Sequence, residues 1–172
     1  MNNLIKKAEK FAKDAHDSID HRRKYTDEPY HVHPERVANL VATVTADPDI
    51  IAAAWLHDVL DDVAPVNATF NADAIRKLLG ERVLRIVLEV SDISKPEDGN
   101  RAARKTIDRM HLAKASPEGM TVKLADMIDN MIDISKHDKN FAKVFRQEAI
   151  LILPHLISGD KTLYERLKKL LK

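Results

Sequence analysis

Residues 52–63 read AAAWLHDVLDDV, placing His57 beside Asp58 and two further carboxylates, Asp61 and Asp62, one helical turn later. The run Ala52–Leu56 is built for burial, yet the segment ends in a histidine and three aspartates. A helix is electronegative at its C-terminus, so each carboxylate there costs about 0.3–1 kcal/mol. Asp58, Asp61 and Asp62 stand at i, i+3 and i+4, so they crowd one side of the helix and repel one another. A bound cation removes both penalties. A neutral imidazole next to a carboxylate is a mixed nitrogen and oxygen donor set suited to a borderline divalent metal. The plain alternative is a solvated acidic turn, against which stands the apolar run leading directly into His57.

Two distant segments offer further ligands. In PYHVHPERVANLV, Pro34 disfavours helical geometry at the preceding residue, which places His33 at a helix start as an N-cap. His31 shares that side of the chain but lacks the proline-fixed position. In TVKLADMIDNMIDISKH, residues 121–137, Asp126, Asn130, Asp133 and His137 form one stripe on an otherwise apolar helix. Asp126 lies between Ala125 and Met127 and is costly to bury unpaired, so a metal or a cation is expected beside it. Asn130, one turn on, can both donate and accept hydrogen bonds. Asp133 and His137 are expected to face solvent.

A divalent ion on such ligands acidifies water and polarises a phosphoryl oxygen, and Asp61 or Asp62 could accept the proton released. A phosphate-bearing substrate then needs cations. Arg22, Arg23 and Lys24 form one cluster; Arg101, Arg104, Lys105 and Arg109 form a second along one helix face, a pattern equally typical of a solvated surface. No glycine-rich phosphate loop is present, so side chains must bind the anion. Tyr30 follows Pro29 and reads as packing, and Trp55 as core.

The elements that must position these groups are helical. Apolar residues recur at helical spacing, as in Ile5, Ala8, Ala12, Ala15 and Ile19, and β-branched alternation is scarce. Pro34, Pro48 and Pro117 mark helix starts, Asp47 and Ser116 are N-cap candidates, and Gly80 marks a helix end. Helices are predicted near 2–22, 34–46, 48–62, 71–79, 81–91, 99–114, 117–136, 138–157 and 160–171, with loops at 24–33 and 91–100. The 172 residues carry no cysteine, which excludes disulfides, thiolate metal sites and cysteine nucleophiles and suits a reducing cytoplasm. A formal net charge of +1 gives no global field toward nucleic acid or membrane, so neither is expected as a partner. No apolar run approaches the roughly 18 residues of a membrane span, and the lysine-broken N-terminus does not read as a signal peptide. The amphipathic C-terminal segment TLYERLKKLLK, with Leu163, Leu167 and Leu170 on one side, is suited to docking internally or against a second copy in a homo-oligomer.

The series His33, His57-Asp58, Asp126 resembles the ligand order H…HD…D of the HD-domain metal-dependent phosphohydrolases. A narrower resemblance covers most of the chain: AAAWLHDVLDDV is similar to AALLHDVVEDT of the RelA/SpoT-type hydrolase domains, RRKYTDEPYHVHP to RKSGEPYIxHP, and VKLADMIDN to VKLADRLHN. The segment KPEDGNRAARKTIDRMHLAKASPEG, residues 95–119, resembles the small standalone members more than the large two-domain enzymes. The resemblance implies an all-α fold, a single HD-type hydrolase domain over residues 1–172 with about eight to ten helices, and no room for a synthetase domain. It implies removal of the 3′-pyrophosphate from (p)ppGpp or an analogue such as (p)ppApp, with Mn²⁺ or another divalent transition metal on His33, His57, Asp58 and Asp126. Asp61 and Asp62 would orient and deprotonate the attacking water. Asn130 would contact the nucleotide, and the basic residues around Arg23 and Lys24 would lie near guanine and phosphate. Two other readings stand beside it: an HD-type 5′-nucleotidase, and a helical regulatory module with a vestigial metal site. The sequence departs from the family in carrying Asp61 where a glutamate is usual, a loop around Arg22–Lys24 longer by one residue and without its glycine, and Asp129 in place of a histidine.

Overall fold

The computed structural model describes residues 2–172, and among them nine α-helices, three shorter helical turns and no strand are found. The chain divides into two compact units, residues up to Leu88 and residues from Glu89 onward.

In the first unit, α1 (Asn3–Asp17), α2 (Val32–Ala42), α3 (Pro48–Leu56), α4 (Ala72–Leu79) and the start of α5 (Glu81–Val90) follow one another. Helix α3 is apolar on every face and packs against both α1 and α2, as an all-round hydrophobic helix must. Ala52, Ala53 and Ala54 keep that helix slim, and with Ala8, Ala12 and Ala15 of α1 and Val37 and Val41 of α2 they are fully buried. Asp47 caps α3 by accepting the Asp49 amide at 3.0 Å, with Pro48 in the first turn as expected. Gly80 ends α4 at φ +94°, a conformation that suits glycine.

Several boundaries differ from the sequence reading, among them the end of α1, the start of α2 and the end of α3. Helix α1 stops at Asp17, because the Ser18 hydroxyl turns back onto the Ala15 carbonyl at 2.7 Å and Asp20 takes φ +47°. Helix α2 begins at Val32, two residues before Pro34, so His33 is a helical residue and not the N-cap, which is His31. The first amides of a helix have no intrahelical acceptor, so Pro34 in that turn forfeits nothing. Helix α3 does not run on to residue 62: it ends at Leu56 and is followed by a π turn, Val59–Val63, closed by the Ala64 amide on the Val59 carbonyl at 3.0 Å. Such wide turns re-aim side chains and are frequent at functional sites.

The second unit holds the end of α5, then α6 (Arg101–Leu112), α7 (Pro117–His137), α8 (Lys139–Ile152) and α9 (Lys161–Leu170). Helix α7, started by Pro117 and capped by Ser116, is its spine and packs against α8 and α9. Leu163 and Leu167 of α9 are buried, so that apolar face is used within the unit.

Candidate metal centre

His57 caps the C-terminus of α3, and its Nδ1 lies 2.8 Å from the Ala54 carbonyl. A carbonyl only accepts, so Nδ1 carries the proton and Nε2 keeps a free lone pair, the arrangement a metal-ligating histidine needs. His33, in the first turn of α2, sets its own Nε2 3.2 Å from that of His57. The Asp58 Oδ2 lies 3.1 Å from His57 Nε2 and 3.5 Å from His33 Nε2. Both histidines are buried and the carboxylate is about one-fifth exposed, at 20%. Donor atoms around a divalent ion with bonds of about 2.1 Å stand about 3.0–3.4 Å apart. Two edges of this triangle, 3.2 and 3.1 Å, fall in that range and the third, 3.5 Å, lies just beyond it, and two nitrogens with one carboxylate oxygen are a suitable donor chemistry.

The carboxylates one turn on feel the same crowding. Burial, then the charges of Asp58 and Asp61, push the Asp62 carboxyl up to about 7. The π turn supports this arrangement, since the Asp62 amide bonds the Asp58 carbonyl at 2.9 Å.

The loop between α1 and α2 carries the predicted basic residues Arg22, Arg23 and Lys24. It is pinned by an antiparallel bridge between Arg22 and Pro29 and by the Arg23 amide on the Glu28 carbonyl at 2.9 Å. Of the three predicted loop cations, Arg23 is buried with its guanidinium 5.5 Å from the Tyr30 ring centre. Arg22 is held outward by Asp20 at 2.8 Å, and the Lys24 ammonium lies 5.0 Å from the Tyr25 ring centre.

Sequence reasoning took Tyr30 for packing. In the structure its hydroxyl donates to Asp58 Oδ2 at 2.7 Å, and its ring stacks on His21 at 3.7 Å and 8°. The His21 ring in turn meets His16, with their Nδ1 atoms 3.1 Å apart. His16 is fully buried, and burial lowers its pKa to about 4, so the imidazole is neutral at pH 7. Burial also lowers that of His21. One signal for His16 was present in the sequence: it sits four residues after Ala12, on the stripe that α1 buries.

In the second unit, Asp126 is buried on α7, with Lys123 Nζ at 2.9 Å from one oxygen and the Asn130 amide donating to the other at 2.6 Å. The expected cation is thus met on its own helix. On α6, Arg101 bonds Glu148 through two nitrogens at 2.7 and 2.9 Å, and Lys105 bonds Asp92 at 2.9 Å. Arg104 keeps a buried Nε without a hydrogen-bond partner among the described residues.

A histidine–aspartate pair at the end of a buried helix, joined by a second histidine in an all-helical fold, defines the HD class, and the sequence profile of the HD domain matches residues 8–156. The chain belongs to the HD-domain family. It is 34% identical over 127 residues to a guanosine-3′,5′-bis(diphosphate) 3′-pyrophosphohydrolase of Aquifex aeolicus, covering 74% of this chain and 17% of that protein. It is 29% identical over 111 residues to a GTP pyrophosphokinase of Streptomyces coelicolor, covering 64% of this chain and 12% of that one. The chain therefore spans less than one-fifth of the length of these relatives. A solved metazoan ortholog of SpoT that hydrolyzes ppGpp shares the fold at a TM-score of 0.85, with 24% identity over 99% of this chain and 94% of that one. The lmo0812 protein of Listeria monocytogenes matches at a TM-score of 0.62 and 15% identity, over 81% of this chain and 96% of that one. Among the described residues no helix is long and apolar enough to cross a membrane.

Proposed function

We propose that this chain is a cytoplasmic, Mn²⁺-dependent phosphohydrolase that removes the 3′-pyrophosphate of (p)ppGpp or of an analogue such as (p)ppApp. The observation that carries this reading is the triangle of His33 Nε2, His57 Nε2 and Asp58 Oδ2, with Asp61 and Asp62 one turn beyond it. Its likeness to a 3′-pyrophosphohydrolase supports the choice of substrate. His33, His57 and Asp58 would hold the ion, with Asp126 as fourth ligand, a role supported by its place in the H…HD…D order. When bound, the ion supplies Lewis acidity toward a phosphoryl oxygen and acidifies water near neutral pH.

The chain's own residues do the rest. Asp62, partly shielded from solvent and flanked by two carboxylates, is a base matched to neutral pH, and Asp61 orients the same water. Water adds across the 3′-ester: its oxygen goes to phosphorus, the 3′ oxygen departs as a hydroxyl, and pyrophosphate leaves. Arg23, set beside Tyr30, faces the phosphates or the base, with Arg22 and Lys24 on the same loop; Asn130 contacts the nucleotide. Arg101, Arg104 and Lys105 form a second anion contact, for which Arg101 and Lys105 exchange their carboxylate partners for phosphate oxygens.

The test is product identification with Mn²⁺ and a panel of guanosine and adenosine 3′-polyphosphates and 5′-nucleotides. Pyrophosphate and a nucleoside 5′-diphosphate from ppGpp or ppApp are expected. Inorganic phosphate from 5′-nucleotides would replace this reading with a nucleotidase, and no product from any of them would leave a regulatory module.

A further inference from the structure

The hydroxyl of Tyr30 donates at 2.7 Å to Asp58 Oδ2, the same oxygen that forms the third corner of the ligand triangle. Asp58 is the most exposed of the three corners and stands just after α3 ends, and the tyrosine hydroxyl is one of the groups that fix where its carboxylate points. The tyrosine ring, by contrast, is held from several directions. Its backbone amide bonds the His21 carbonyl at 2.9 Å, which ties it to the far side of the loop. His21 lies flat on it, His16 stands 4.8 Å away, and His33 meets it edge-on at 5.8 Å. Behind the stack, His16 is fully buried, grips His21 through Nδ1 and leaves its Nε2 with no hydrogen-bond partner among the described residues. A buried polar atom left unpaired is costly, and an apolar side chain at residue 16 would have avoided that cost. A polar pair kept at such a cost makes sense if the contact it secures, the orientation of His21 and through it of Tyr30, matters to the site.

We propose that Tyr30 is a positioning residue that aims the Asp58 carboxylate into the ion site, and that the His16–His21 pair clamps the tyrosine ring for that purpose. The inference rests on the ion-site reading above. It extends that reading to three residues which themselves touch neither ion nor substrate. Outer partners of metal ligands fix ligand orientation, and their loss typically lowers metal affinity by about 10–100-fold.

The experiment measures Mn²⁺ binding to the ion-free protein by calorimetry or equilibrium dialysis, alongside the thermal unfolding of the same ion-free samples. Tyr30→Phe keeps the ring and removes only the donor. Mn²⁺ affinity is expected to fall about 10–100-fold, with the ion-free unfolding midpoint within a few degrees of wild type. His21→Phe retains a stacking ring but loses the Nδ1 contact to His16 and is expected to weaken Mn²⁺ binding, though less than His21→Ala, which removes the ring as well. Wild-type affinity in Tyr30→Phe, or equal affinities in His21→Phe and His21→Ala, would overturn the positioning role while leaving the ion site standing. A wild-type protein that binds no Mn²⁺, or an Asp58→Asn variant that binds it unchanged, would remove the ion-site reading and this role with it.

Discussion

Asp62→Asn offers a quantitative test of the acidic turn, because the ion-free protein must tolerate a carboxyl whose pKa is pushed up to about 7. The unfolded chain titrates the same group near its ordinary value of 3.8. Between those two values the folded state binds the proton and the unfolded state does not, so this group's contribution to stability falls as pH rises through that window. At about 1.36 kcal/mol per pH unit, the loss reaches about 4 kcal/mol by pH 8 and stays under about 2 kcal/mol at pH 5, an upper bound because solvent reaches the group. The asparagine keeps the shape and loses the titration. Urea unfolding of both proteins in chelator across pH 5–8 is the assay. The expected result is a stability difference that shifts in favour of Asp62→Asn by about 2–3 kcal/mol as pH rises, and that shrinks when Mn²⁺ is added. A difference independent of pH would refute the claim that Asp62 is destabilised by burial and by its two neighbours.

Two further outcomes follow from burial and close packing. His16 has its pKa lowered from 6.5 to about 4, so the stability that comes from keeping it neutral is complete above pH 6.5 and is lost as pH falls toward 4, by about 3 kcal/mol; His16→Gln should lack that slope in acid unfolding curves, opposite in sign to the effect of Asp62→Asn. At Gly159 an added Cβ would fall 2.8 Å from Leu124 Cδ1 and 3.0 Å from the Met120 backbone, so Gly159→Ala should lower stability by about 1–3 kcal/mol in thermal unfolding.

Much of the fold was legible because local signals agreed with one another. Prolines 48 and 117 with Asp47 and Ser116, and Gly80 after Leu79, mark boundaries that the structure keeps. Three of the boundaries that moved belong to the site and its loop. A proline is tolerated throughout the first helical turn, so Pro34 marked the neighbourhood of the α2 start but not its residue. The break after Leu56 comes from a π turn, and the periodicity of LHDVLDD is compatible with an unbroken helix. His33 and His57 could be named from donor chemistry and order, whereas their 3.2 Å approach depends on α2 packing beside α3. Tyr30, His16 and His21 were missed because a stacked or buried ring looks the same in sequence whether it fills space or holds a ligand. The pairing of Arg101 with Glu148, 47 residues away, is likewise a tertiary fact that a charge stripe does not reveal.

The decisive measurement is anomalous diffraction from crystals of the protein grown or soaked with Mn²⁺. One strong peak per chain is predicted inside the triangle of His33 Nε2, His57 Nε2 and Asp58 Oδ2, about 2.1 Å from each atom. A peak elsewhere, or none there at saturating Mn²⁺, would contradict the assignment of this site as the metal centre.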